Sequence, residues 1–236
     1  METYQTEDEQ LEALKRWWQE NGRSTVIAIA LALGAGFGWQ GWQNYQQQQA
    51  TQASLRYEML MEAVRETAQG GGDITTLKTL AEGIKTDYSG SAYADFAALH
   101  LARVAVHEED LAQAEQELRW VLGRNPAKEL KLLAELRLAR VVAARGNAAQ
   151  ALAILQAAEP GAYAALYAEA EGDAALQLGD KDSAVAAYER ALNLAAATDS
   201  GASEVLRLKL ESLTPVAPRA LASSDATAER GSSDGQ

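Results

Sequence analysis

His100 and His107 are the two histidines of this chain, and it has no cysteine. The side chains most used for proton transfer, metal binding and nucleophilic attack near neutral pH are therefore nearly absent. On one helix the two imidazoles would stand about 10 Å apart along the axis, too far to share a zinc ion whose ligands sit about 2 Å from it. The acidic residues fall at helix-surface spacings with Lys and Arg among them, which describes a solvated face rather than a catalytic carboxylate pair. Gly36, Gly38 and Gly41 match G-x-G-x-x-G, which between a strand and a helix would cradle a pyrophosphate. Here the motif lies inside an apolar run with no strand before it. No catalytic residue, cofactor or metal is expected.

What must be positioned is therefore a surface, and composition says of what kind. A chain of 236 residues holds one sizeable domain with an anchor and tails. Alanine, leucine, glutamate and glutamine dominate while prolines number four, so the body should be all-α. A net charge of −12 excludes nucleic acid as a partner, since phosphate binding requires clustered Lys and Arg. The missing cysteines exclude a disulfide framework and fit any redox compartment.

Residues 24–42 read STVIAIALALGAGFGWQGW, without a charge; extended to Tyr45 they form a helix of about 33 Å, enough to cross a bilayer core. Trp17 and Trp18 precede the run and Trp39, Trp42 and Tyr45 close it, where aromatic rings settle at the two interfaces. Lys15, Arg16 and Arg23 stand before it and the next basic residue is Arg56, so the N-terminus should be cytoplasmic and the rest exported. A core helix of this length would carry charges, and a cleaved signal peptide would be shorter and end in small residues, whereas Gln46 to Gln49 follow here. Ala30, Gly34 and Gly38 repeat on one face and would allow another spanning helix to approach.

Beyond the anchor, residues 51–68 carry Leu55, Met59, Leu60, Ala63 and Val64 at helical spacing. Gly70, Gly71 and Gly72 break the chain. Asp73 can cap a helix over 74–85 that buries Leu77, Leu80, Ala81 and Ile84. A repeat follows. Leu101-Ala102, Leu138-Ala139 and Glu171-Gly172 correspond in three first helices, and Ala114, Ala151 and Ala184 in three second helices. Four and seven residues after those alanines come Leu118 and Val121, Leu155 and Ala158, and Tyr188 and Ala191, one face repeated. This is the tetratricopeptide (TPR) pattern, in which small residues let paired helices cross closely. Asp110, Gly146-Asn147 and Gly179-Asp180 mark the turn inside each hairpin, and Pro126 follows the first. The same register reaches back to a degenerate first unit over 51–89. Residues 203–213 suit a capping helix, with Ser203 as N-cap and Val205, Leu206, Leu208 and Leu210 as its apolar side. The expected organisation is a cytoplasmic segment (1–23), a transmembrane helix (24–45), a TPR-like α-solenoid of hairpins with a C-terminal capping helix (46–213) and a disordered tail (214–236).

The sequence resembles the ancillary subunits of the Sec translocon of Gram-negative bacteria. The match rests on residues 9–22, EQLEALKRWWQENG, on residues 93–102, YADFAALHLA, on Leu118-Arg119-Trp120-Val121, and on Gly172-Asp173 and Gly179-Asp180 read as turns of the last repeat. It extends over about residues 9–213. The resemblance implies a single-pass inner-membrane protein with a periplasmic TPR-like domain. It implies as partners the Sec translocon subunits, a membrane-anchored periplasmic chaperone related to peptidyl-prolyl isomerases, and unfolded exported proteins. Tethering beside an exit site raises local concentration, so that weak contacts suffice. A membrane-tethered TPR scaffold for envelope assembly or cell division is the alternative.

Overall fold

The computed structural model describes residues 4–196 and 203–213; the tail read as disordered lies outside them. All the regular structure described is helical: α1 (Tyr4–Ala68), α2 (Ile74–Asp87), α3 (Ala92–His107), α4 (Leu111–Gly123), α5 (Lys128–Ala144), α6 (Ala148–Gln156), α7 (Ala164–Gln177), α8 (Lys181–Ala196) and α9 (Ser203–Leu213), with a 3-10 turn at Gly161–Tyr163. The fold is all-α and TPR-like. The chain divides after His100 into two compact units.

In the first unit α1 runs unbroken for 65 residues. The sequence divides this stretch into an interfacial segment, an anchor and a first solenoid helix; the backbone joins them, because no proline interrupts it and the glutamines after Tyr45 are good helix formers. Ala53, Leu60 and Ala63 are buried, and α2 packs on this end through Leu77, Ala81 and Ile84. Leu55 and Met59, expected inside, are exposed: they fall off the stripe that the helices packed on this end cover. Asp73 caps α2, its carboxylate accepting from the backbone N–H of Thr75 and Thr76 at 3.0 and 3.1 Å. Those bonds favour the charged form and hold its pKa below the usual carboxylate value. The helix runs two residues past the expected Lys85, to Asp87, and Leu80 is half-buried.

In the second unit each helix packs on the next: α4 on α5, α5 on α6, α6 on α7, α7 on α8 and α8 on α9. The first helices of consecutive hairpins, α5 and α7, also touch, as superhelical stacking requires. One turn geometry is used three times. Glu109, Gly146 and Gly179 have φ of 62°, 87° and 81°. Each donates its N–H to the carbonyl three residues back, and the next residue (Asp110, Asn147, Asp180) donates to the carbonyl five back. That is the Schellman closure of a helix. Asp110 and Asp180 then cap the second helix through Gln113 N and Ser183 N; Asn147 makes no side-chain cap bond. Gly172-Asp173, read by resemblance as a turn, lies inside α7. In α9 only Leu206 is fully buried, with Leu210 and Leu213 partly packed, whereas Val205 and Leu208 face outward.

Candidate interaction site

The anchor-type residues lie along α1. Among the described residues α1 contains one stretch long and apolar enough to cross a membrane, and none of it is buried. Ile27, Leu31 and Phe37 are 57%, 69% and 71% exposed, which is incompatible with a core helix. Trp17 and Trp18 stand with ring centroids 6.3 Å apart, and Trp39 and Trp42 5.4 Å. Lys15, Arg16 and Arg23 are exposed near the first pair, and the Tyr45 hydroxyl accepts from Gln49 Nε2 at 3.1 Å near the second. Ala30, Gly34 and Gly38 are exposed, and a Cβ on either glycine would meet open space. The G-x-G-x-x-G glycines are helical, with no strand beside them.

In the second unit Ala102, Ala114, Leu118, Ala139, Ala151, Leu155, Gly172, Ala184, Tyr188 and Ala191 are all buried. α7 and α8 cross closely. A Cβ at Gly172 would stand 2.5 Å from Tyr188 Cε1, so the Tyr188 ring occupies the place a side chain would take. The Tyr188 hydroxyl donates to Asp173 Oδ1 at 2.7 Å. Lys209 of α9 donates to the same oxygen at 2.7 Å and to Glu169 Oε1 at 2.8 Å. Burial, then the bond to Asp173, hold the Tyr188 hydroxyl well above the usual phenol pKa. Burial alone would lower Lys209, but the bonds and charges of Asp173 and Glu169 outweigh it and leave its pKa raised. Tyr167 links α7 to α5, donating to Leu132 O at 2.8 Å, and burial pushes it up to about 12. Sequence spacing found Tyr188 but gave Tyr167 and Lys209 no role.

His100 and His107 are not brought together. The His100 ring packs 6.2 Å from that of Tyr57, which also touches Tyr93 and Phe96. His107 is exposed in the last turn of α3, a favourable place for positive charge. Among the described residues no cluster of His, Asp or Glu is arranged to hold a metal ion.

A groove of about 340 Å³ lies between α3, α4 and α5, lined by Ala102, Val106, Leu111, Leu118, Val141 and Ala144 with Arg103, Arg137 and Arg140. Partial burial, then repulsion from Arg103 and more weakly from Arg140, depress the Arg137 guanidinium, with Tyr163 opposing; it remains a cation. The sequence carries a signal for this cluster. Leu101-Ala102-Arg103 and Leu138-Ala139-Arg140 are the same tripeptide at the same repeat position, so each packing alanine is followed by an arginine on successive first helices. In α7 that position is Asp173.

Residues 15–215 match the tetratricopeptide repeat-like domain family. The ancillary SecYEG translocon subunit of Escherichia coli (strain K12) is 32% identical over 91% of this chain and 100% of its own length. This chain belongs to the ancillary SecYEG translocon subunit family. The Haemophilus influenzae subunit is 31% identical over 78% of this chain and 88% of its own length, and that of Aggregatibacter actinomycetemcomitans 28% over 88% and 97%. No solved structure matches the chain. As a member of the ancillary SecYEG translocon subunit family, the protein combines a candidate membrane helix with a TPR-like array, and both lie within the matched residues.

Proposed function

We propose that this protein is held in the inner membrane by residues 24–45 with its N-terminus in the cytoplasm. Residues 46–213 stand in the periplasm, beside the translocon. There they bind a membrane-anchored chaperone related to peptidyl-prolyl isomerases, and unfolded proteins as they emerge. The role is non-catalytic. Ala30, Gly34 and Gly38 are offered as the face on which a translocon helix packs. The observation that carries the reading is the continuity of α1. An exposed apolar span passes without a break into the helix that α2 packs against, so whatever holds the span also holds the start of the domain. A relative named for SecYEG and similar over its whole length supports the choice of partner. Tethering supplies a high effective concentration, and weak binding then permits release.

Co-purification of the full-length protein from membranes, in a detergent that preserves the translocon, tests this. Sec subunits and a periplasmic chaperone should both be recovered. Replacing residues 24–45 with an unrelated spanning helix should retain the chaperone and reduce Sec recovery. Recovery of division or envelope-assembly proteins in place of both would sink the reading and favour the scaffold alternative.

A further inference from the structure

The lining of the α3–α4–α5 groove joins two features that do not satisfy one another. Val106, Leu111 and Val141 give it apolar surface, with Val106 45% exposed. Arg103, Arg137 and Arg140 share it, close enough for the outer two to act on Arg137. Arg140 reaches Glu169 at 3.6 Å, but among the described residues neither Arg103 nor Arg137 makes an ion pair. In a chain of net charge −12 such a cluster is no by-product of general basicity. Elsewhere in the same unit arginines are answered by carboxylates: Arg145 and Arg119 by Glu115, and Arg190 by Glu171. Around the groove, Arg103 and Arg137 have no such carboxylate among the described residues.

We propose that this groove binds a peptide segment of a partner protein in which carboxylates alternate with large apolar side chains. The carboxylates pair with Arg103 and Arg137, and an apolar side chain enters beside Val106 and Val141. The inference rests on reading the array as a protein-binding domain and assigns it a place and a ligand chemistry. A guanidinium offers a planar fork matched to a carboxylate, and an acidic ligand also relieves the repulsion among the three cations. The volume is at the small end of ligand sites, suited to one or two side chains of a longer segment. An anionic lipid headgroup would satisfy the arginines but leave the apolar lining unfilled. The chain's own residues 214–236 suit the groove less well: their large apolar side chains, Val216 and Leu221, both precede the acids Asp225, Glu229 and Asp234, and Arg219 and Arg230 intervene.

The test uses the full-length protein in phosphatidylcholine nanodiscs and a fluorescent peptide of alternating leucine and glutamate, with matched peptides carrying lysine for glutamate or serine for leucine. Anisotropy should show binding of the first peptide alone, weakening as salt rises. The double substitution Arg103→Gln with Arg137→Gln should weaken it about tenfold or more, the loss expected for charge-assisted pairs. Val106→Ser, at an exposed position that leaves the arginines intact, should also weaken it. Both variants should keep the circular dichroism of the parent and still recover Sec subunits, so that failure here is separable from failure of the wider reading. Equal binding of the lysine peptide, or no effect of the double substitution, would overturn the proposal. So would binding that becomes tighter when the chain ends at Leu213, which would assign the groove to the tail. Retention of the serine peptide together with displacement by added phosphatidylglycerol would assign it to a headgroup instead.

Discussion

At the scale of single residues, close packing and backbone sign decide more than chemistry does. Gly172 is the sharpest case, because a Cβ there would overlap the Tyr188 ring and that ring is pinned by its hydrogen bond to Asp173. Gly172→Ala should therefore cost roughly 1–3 kcal/mol, read by urea titration of the full chain in micelles; an unchanged midpoint would mean that the ring can move aside. The Schellman turns give a contrasting pair. Glu109 holds a left-handed conformation that costs an L-residue about 1–2 kcal/mol, whereas Gly146 and Gly179 meet the same demand freely. Glu109→Gly should be neutral or stabilising by up to about 1 kcal/mol once the extra freedom of glycine in the unfolded chain is counted. Gly146→Ala should destabilise by about 1 kcal/mol. The same titration checks both, and a stabilised Gly146→Ala would refute the shared geometry. The alanines and Tyr188 were legible in the sequence because packing repeats with the helix period. Arg103 and Arg140 repeat too, but as surface residues, where spacing alone does not separate a solvated charge from a shared groove.

At the scale of elements, α9 shows how a cap is held. Its apolar contribution is centred on Leu206, so the polar bridge from Lys209 to Asp173 and Glu169 matters for its register on α7. Lys209→Met keeps the stem and removes the charge, leaving two carboxylates short of a partner; α9 should loosen by about 1–3 kcal/mol. Faster hydrogen exchange confined to α9 and α7 would show it, and unchanged exchange would reduce the bridge to a surface pair. The sign with pH follows from the raised pKa of Lys209. Its stabilisation is complete below the unfolded lysine value, about 10.4, and is lost as pH rises through the folded value. Tyr188, also raised, acts in the same direction. The alkaline loosening should be smaller in Lys209→Met, with the Tyr188 contribution left. Sequence periodicity located α9 but included Val205 and Leu208 on its apolar side, because it cannot say how wide a stripe a single neighbour covers. The change from apolar to polar residues after Tyr45 marks what surrounds the helix and not where it ends, which is why α1 runs on through it.

At the scale of the whole molecule, function depends on which side of a membrane each part occupies, and side chains alone decide that. Lys15, Arg16 and Arg23 lie before the apolar span, and none of the next residues up to Arg56 is basic. The cost of translocating cations therefore favours retaining the N-terminus in the cytoplasm. Because the chain has no cysteine, one introduced thiol reports its own location without background. Gln150 is exposed on α6, and Gln150→Cys removes no contact of the buried face. An impermeant maleimide should label it in intact spheroplasts as fully as after lysis, while a cysteine replacing exposed Glu20 should label only after lysis. The reverse pattern would invert the topology. It would put the arginine groove in the cytoplasm, out of reach of any exported segment, and remove the periplasmic partners with it. Labelling of both sites in intact cells would instead mean that the apolar stretch of α1 does not span. The effective-concentration argument for weak, releasable binding would then lose its basis, since an untethered domain of this size would need the affinity that the small groove is not built to supply.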